Sequence, residues 1–419
     1  MPEMKDSRIE WISGIPAEWN SKPIRYLFRH VTEKNIFGNE KTALKFTYGT
    51  IIPKSDFDAD IDDYVANTIL NYTLVRPGVI MINCLNLNYD FVSQRIGLVK
   101  DKGAITSAYL AIEPKEDVDS EYANYQLKYF DSIKAFHNMG TGVRKTLDFS
   151  ELGKKYFILP SKTVQRKIVA YLNGKCAEID SLYADIEKQI DVLEHYKKSV
   201  ITEAVTKGLN PNAEMKDSGI EWIGKIPKHW KVEKVKFHLQ RKEPRNPGNQ
   251  QVLSVYREYG VIPKDSRDDN HNVTSQDTSK YKYIRPGNFV INKMKAWQGS
   301  MGISHYEGIV SPAYFVYCFR NKLLVPEYLH YLFRNCYKDE FRRISGGIRE
   351  GQWDLSPEAF ANTLLLLPSV VEQNRIVDYL DTKCAEIDSA IADKKKQLET
   401  LEAYKKSLIY EYVTGKKEV

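Results

Sequence analysis

Hydrophobic positions along the chain follow two alternating regimes. In residues 161–210 and again in 369–419, apolar side chains return every seven residues. Ile179, Ile186, Leu193 and Val200 form the first series, with Tyr183, Ile190, Lys197 and Ala204 four residues beyond. Ile387, Lys394, Leu401 and Leu408 form the second, beside Ile391 and Leu398. A seven-residue repeat is a 3.5-residue period, and it predicts two helices packed along this seam as an antiparallel coiled coil. Lys197 and Lys394 interrupt the stripe; each can pair with an acidic neighbour or lay its stem along the seam with the ammonium in water. The competing arrangement is two separate amphipathic helices, each covering its own domain. Start and stop signals frame both stretches. Ser161 and Ser369 follow Leu-Pro and suit N-caps, Ser369-Val-Val-Glu372 spells a capping box, Gly208 with Pro211 stops the first stretch, and Gly415 stops the second. Asn173-Gly174 predicts a break, leaving roughly 30 uninterrupted residues, a helix of about 45 Å.

The other regime is strand-like. Tyr72-Thr-Leu-Val-Arg-Pro-Gly-Val-Ile-Met-Ile-Asn83 and Tyr281-Lys-Tyr-Ile-Arg-Pro-Gly-Asn-Phe-Val-Ile-Asn292 read as strand, Pro-Gly turn, strand. They also match each other, and the match extends. Met4-Lys-Asp-Ser-Arg-Ile-Glu-Trp11 through Ile15-Pro16 and Trp19 returns as Met215-Lys-Asp-Ser-Gly-Ile-Glu-Trp222 through Ile226-Pro227 and Trp230. Lys175-Cys-Ala-Glu-Ile-Asp-Ser181 returns as Lys383-Cys-Ala-Glu-Ile-Asp-Ser389. Glu121-Tyr122 and Tyr125 correspond to Glu327-Tyr328 and Tyr331 in short amphipathic helices. The expected fold is therefore α+β and pseudo-two-fold symmetric. Two mixed domains, at 1–160 and 211–368, alternate with helical spacer regions at 161–210 and 369–419.

A chain of 419 residues can bury several cores, and 42% hydrophobic with 28% charged residues describes an ordinary globular protein. Met1–Asp6 lacks the apolar stretch of a secretory signal, and the aliphatic run Leu364–Leu367 is too short to cross a bilayer. Five cysteines without a Cys-x-x-Cys pair point to a reducing, cytoplasmic setting and to no zinc site; Cys176 and Cys384 are expected in the core. The net charge of +6 is uneven: segments 1–160, 161–210, 211–370 and 371–419 carry −1, +1, +7 and −1. A polyanionic partner is expected mainly at the third.

Catalytic signatures are missing. No phosphate-binding Gly-x-x-x-x-Gly-Lys-Ser/Thr loop, no Asn-Pro-Pro-aromatic or Asp-Pro-Pro-aromatic sequence and no glycine-rich strand-to-helix turn occurs. The eight histidines are scattered, and Asp58, Asp60, Asp62 and Asp63 read as a solvated loop. The chain is expected to be no enzyme and to hold no cofactor or metal.

The tandem frame resembles the specificity (S) subunit of type I restriction–modification systems. The Ile-Pro-x-x-Trp starts carry the resemblance, with Arg76-Pro77-Gly78, Arg285-Pro286-Gly287, Ile291-Asn-Lys-Met-Lys-Ala-Trp-Gln-Gly299, Gly308-Ile-Val-Ser-Pro-Ala-Tyr314 and the Leu-Pro-Ser junctions into helices. One departure stands out: Val164-Gln165 replaces the Glu372-Gln373 of the second copy. The resemblance implies two target recognition domains, each reading half of a split double-stranded DNA site. It implies helices that set the spacer and dock two modification (methyltransferase) subunits, and a restriction (endonuclease/translocase) subunit as a further partner. A helix of about 45 Å compares with about 34 Å per turn of B-form DNA.

Base edges are read by forked or amide side chains, and phosphates by cations and hydroxyls. In the first domain the candidates are Asn86, Asn88, Ser93, Gln94 and Arg95, then Arg144 and Lys145. In the second they are Lys293, Lys295, Trp297 and Gln298, then Arg342, Arg343, Arg349 and Gln352. Met294 and Trp353 are expected to pack. The alternative function is a tandem adaptor that binds proteins rather than DNA through both domains.

Overall fold

The computed structural model describes residues 3–54, 69–88, 94–137, 139–140, 145–248, 250–257, 259–266, 274–275, 277–347 and 353–419. The chain divides into two compact units, Met1–Ile186 with Lys396–Val419, and Glu187–Lys395. The first contains a four-stranded antiparallel sheet of β1 (Phe28–His30), β2 (Ile80–Ile82), β3 (Ile96–Leu98) and β4 (Leu110–Pro114), in the order β1-β4-β2-β3. The second repeats it with β5 (Leu239–Lys242), β6 (Phe289–Asn292), β7 (Met301–Ile303) and β8 (Tyr314–Phe319), in the order β5-β8-β6-β7.

The Pro-Gly turns form as expected, and both depend on glycine: φ is +95° at Gly78 and +86° at Gly287. Val79 N–H donates to Arg76 O at 3.1 Å, and Asn288 N–H to Arg285 O at 3.0 Å. Neither turn closes a hairpin. Thr73–Val75 pairs with Gly103–Ile105, and Lys282–Ile284 with Gly308–Val310, while the strand after each turn enters the four-stranded sheet.

Each sheet buries its apolar face beneath a helix, α1 (Ser120–Ser132) in the first unit and α3 (Pro326–Cys336) in the second, the latter followed by α4 (Lys338–Arg343). The two long helices are α2 (Lys162–Lys207) and α5 (Val370–Val413). The break expected at Asn173-Gly174 is absent, and α2 is continuous. One glycine in a helix costs only about 1 kcal/mol, and packing by Ile168, Leu172, Cys176 and Ile179 on either side outweighs it.

Each unit takes part of both long helices. In the first, the Tyr171 ring lies 4.5 Å from Tyr412, and Lys405 Nζ is 2.5 Å from Asp180 Oδ1, so the segments run in opposite directions. In the second, Lys197 Nζ reaches both oxygens of Asp388 at 2.7 and 2.6 Å, the acidic partner suggested for this seam lysine. Ile179, Ile190, Val200, Ile387, Ile391 and Leu408 are buried; Ile186, Leu193, Leu398 and Leu401 are half-buried.

The repeated motifs are joints of the frame. Gly415 and Gly208, both left-handed, end α5 and α2. A side chain at Gly415 would strike Pro16 and Trp19, and one at Gly208 would press on Trp230. The Ile-Pro-x-x-Trp motif is thus the surface on which a long helix ends. Tyr122 Oη donates to Val413 O at 3.2 Å, and Tyr328 Oη to Val205 O at 3.2 Å, each supplying a donor to a carbonyl in a last turn.

The helix starts also correspond, through glutamine. Gln165 is fully buried; its Oε1 accepts from Asp119 N–H (2.7 Å), and its Nε2 donates to Asp117 O (3.0 Å) and Pro160 O (2.9 Å). Gln373 does the same with Val325 N–H (2.8 Å), Leu323 O (2.8 Å) and Pro368 O (2.9 Å). Ser161 and Ser369 cap as expected, accepting from Val164 and Glu372 N–H. The capping box forms only by half. The Glu372 carboxylate accepts from Trp230 Nε1 at 2.9 Å and meets His229 Nε2 at 2.9 Å, a role Val164 has no polar atom to fill.

Candidate nucleic-acid interface

In the second unit, the chain after β6 folds into a compact loop. Lys295 N–H donates to Asn292 O, Gln298 N–H to Lys295 O, and Gly299 at φ +84° closes it. A separate segment arrives beside it: Ser345–Gly346 pairs with Asp354–Leu355, Leu355 N–H donates to Lys293 O at 2.9 Å, and Lys293 Nζ lies 2.6 Å from Asp354 Oδ2. Two candidate clusters roughly fifty residues apart thereby share one surface. Trp297 and Trp353 meet with ring centroids 5.8 Å apart, and the exposed Arg342 guanidinium lies over both, 6.0 and 5.6 Å from their centroids. Trp353 packs, as expected; Met294 instead stays exposed.

Exposed Lys295 and Arg342 and the Gln298 amide give this surface the chemistry to meet phosphates and base edges. Lys293 bridges to Asp354, and Arg343 forks onto the buried Glu340 at 2.7 and 2.8 Å. Further cations escaped the sequence reading. Arg257 donates to Gln298 Oε1 at 2.9 Å, and Arg334 donates to the Arg257 carbonyl. Lys338 lies against Gly299, and its pKa is held below the ordinary lysine value, first by burial, then by Lys198, Arg334 and Arg257. Arg334, Lys338 and Arg342 recur every four residues, but a helix end at Tyr337 separates the first from the other two, so their spacing did not by itself place them on one face.

The first unit joins the corresponding segments with different chemistry. Leu87 N–H donates to Lys145 O at 3.2 Å and Leu147 N–H to Cys84 O at 3.3 Å, bringing Asn86 and Asn88 beside Lys145. Asn86 and Gln94 are exposed; Asn88 and Lys145 are half-buried. Arg95 departs from expectation. Its side chain is fully buried, donating from Nη1 to Asn83 O (3.0 Å) and Leu85 O (2.8 Å) and from Nη2 to Asn86 O (3.3 Å). It holds the loop from beneath and is not placed to touch a ligand, because three converging carbonyls solvate a guanidinium as water would. Its backbone N–H donates to Asp131 at 2.7 Å, and burial raises the pKa of that carboxyl. Cys84 is buried below, its thiol pushed up to about 12 by burial and so unreactive. Ser93, Arg144, Arg349 and Gln352 lie outside the described residues.

Among the described residues, no group of three or more His, Cys, Asp or Glu side chains could hold a metal ion. Among them, too, no helix is long and apolar enough to cross a membrane.

No family model matches the chain. Among curated proteins it is 26% identical to the type I restriction enzyme MjaVIII specificity subunit of Methanocaldococcus jannaschii, over 75% of this chain and 74% of that one. Among solved structures, a chain from work on complex assembly and conformational transition of the type I R-M system superposes with a TM-score of 0.69 at 13% identity, covering 96% and 99%. The HsdS subunit from Thermoanaerobacter tengcongensis gives 0.50 at 14% identity, covering 96% and 98%. These two likenesses show a shared fold. In sequence and in fold, therefore, the chain resembles the specificity subunits of type I restriction–modification systems.

Proposed function

We propose that this chain is the DNA-recognition subunit of a type I restriction–modification complex and performs no chemistry itself. The globular segments at 1–160 and 211–368 act as two recognition domains, each reading one half of a bipartite site. The long helices form an antiparallel coiled coil with pseudo-two-fold symmetry that sets the spacer and docks two modification subunits. Those subunits supply methyl transfer, and a restriction subunit supplies cleavage.

One observation carries this reading. The two units share strand order, glutamine clamps, tyrosine caps and helix ends, yet the loop surfaces on that common frame differ in kind. The first surface offers amides around Asn86 and Gln94; the second offers Lys295, Gln298 and an arginine over paired tryptophans. A constant frame with two unlike surfaces suits a split, asymmetric sequence. Amides pair with adenine edges, forked cations with guanine edges, and each good pair discriminates by about 1–3 kcal/mol.

Sequencing the methylated sites of a host that expresses this chain with its modification subunit tests the proposal. The expected pattern is one bipartite motif with a fixed spacer. Gln298→Ala should relax one half of that motif, with about tenfold or greater loss of discrimination, and leave the other half unchanged. Equal loss in both halves, or no motif dependent on this chain, would count against the assignment and favour a protein-binding adaptor.

A further inference from the structure

Each unit also carries a β-hairpin. Leu44–Thr47 pairs with Thr50–Pro53 in the first, and Leu253–Tyr256 with Gly260–Pro263 in the second. Both are seated on the third strand of their sheet through a glycine at the same place, Gly97 in β3 and Gly302 in β7. A Cβ at Gly97 would lie 3.1 Å from the side chains of Ile51 and Phe46. One at Gly302 would lie 3.3 Å from Gly260 Cα and 3.1 Å from His330. Both copies thus place a glycine where the hairpin presses on the strand, against the side chains of Ile51 and Phe46 in the first unit and against the Gly260 backbone in the second.

Both tips reach the candidate reading loops. Gly49 packs on Gln94, so closely that a Cβ would stand 2.8 Å from Oε1. At the second tip, the exposed Arg257 donates to Gln298 Oε1 at 2.9 Å. Both tips also display a tyrosine, Tyr48 with 79% and Tyr259 with 53% of its surface exposed. Folding does not account for Tyr48. It fills the first central position of a two-residue turn at φ +44°, with Gly49 at φ +73°. Such turns favour Asn, Asp or Gly there; a left-handed conformation costs other residues about 1 kcal/mol or more, and this ring is left in solvent.

We infer that the hairpin tips are a third DNA-contacting element of each unit, meeting the sugar–phosphate backbone beside the half-site through Tyr48 in one and through Arg257 and Tyr259 in the other. The inference rests on the DNA reading proposed above. A phenol at an exposed tip donates to a phosphate oxygen while its ring covers a deoxyribose, and the Arg257 guanidinium adds a charge-assisted bond. Such contacts set the register in which Gln94 and Gln298 address the bases.

The test measures binding of the assembled complex to a duplex carrying its methylated motif, across a salt series. Tyr48→Asn keeps a turn-forming residue and removes the ring. Affinity should fall about fivefold or more at an unchanged salt slope, with thermal stability equal or higher. Arg257→Ala should weaken binding and reduce the slope of log K against log salt by about 0.9, one phosphate contact fewer. Lys295→Ala, in the reading loop, and Arg342→Ala, on α4 beside it, serve as the reference. If these weaken binding while both tip variants keep full affinity and slope, the tips are not contacts and the inference fails alone. If none of the four changes matters, the DNA reading of these loops fails with it. If Arg257→Ala adds nothing in a Gln298→Ala background and leaves the slope intact, Arg257 acts only by holding Gln298, and its phosphate role is overturned.

Discussion

The two copies of the Asp-Ser turn show how far single residues explain the repeat. Asp6 Oδ1 accepts from Arg8 N–H at 3.0 Å, and Asp217 Oδ1 accepts from Gly219 N–H at 2.8 Å. The third residue of each turn is left-handed, φ +60° at Arg8 and +72° at Gly219. Only one copy uses the residue that adopts this conformation freely. A Cβ at Gly219 would meet nothing within 4 Å, so Gly219→Arg isolates the backbone effect and should cost about 1 kcal/mol in chemical denaturation. Arg8→Gly should be neutral or mildly stabilising; if both changes had the same sign, left-handed strain would not be the cause. Arg95 teaches the opposite lesson. In a segment rich in Asn and Gln an arginine reads as a ligand contact, and nothing local shows that the carbonyls of Asn83, Leu85 and Asn86 converge on it.

At the scale of elements, the glutamine clamps tie the start of each long helix to the start of a domain helix. Gln373→Leu keeps the side-chain volume but strands Val325 N–H and the carbonyls of Leu323 and Pro368, all inside a packed joint. Unsatisfied buried groups cost about 1–3 kcal/mol each, so stranding three should cost about 3 kcal/mol or more, with the second unit unfolding at lower urea. Gln165→Leu should do the same to the first unit. Survival of either variant at wild-type stability would show that water replaces the amide. Val164 lacks the carboxylate through which Glu372 meets Trp230 and His229, yet the clamp at Gln165 is intact, so this difference between the copies leaves the glutamine contacts unchanged.

For the whole molecule, the proposed spacer role makes a length prediction. Inserting seven residues into each long helix between Ile179 and Val200, and between Ile387 and Leu408, preserves the seven-residue register and adds about 10 Å. The methylated motif should keep both halves and gain about three base pairs of spacer, at about 3.4 Å per pair. Inserting four residues in one helix breaks the register and should abolish modification or shift the spacer. An unchanged spacer in the seven-residue variant would remove the helices from that role.

Periodicity and repetition made much of this protein legible. Ile179 to Val200 and Ile387 to Leu408 predict long helices because a seven-residue apolar repeat has few other stable readings. Pro-Gly pairs predict turns because few residues tolerate their backbone angles. These are local properties, written in neighbouring residues. The tertiary structure alone decided which cations face solvent, that Trp297 meets Trp353, that Arg95 is a strut, and that the hairpin tips at Gly49 and Arg257 meet Gln94 and Gln298. Those outcomes depend on contacts between residues far apart in the chain. The free energy of each is set by what surrounds the side chain after folding, which no stretch of neighbouring residues specifies.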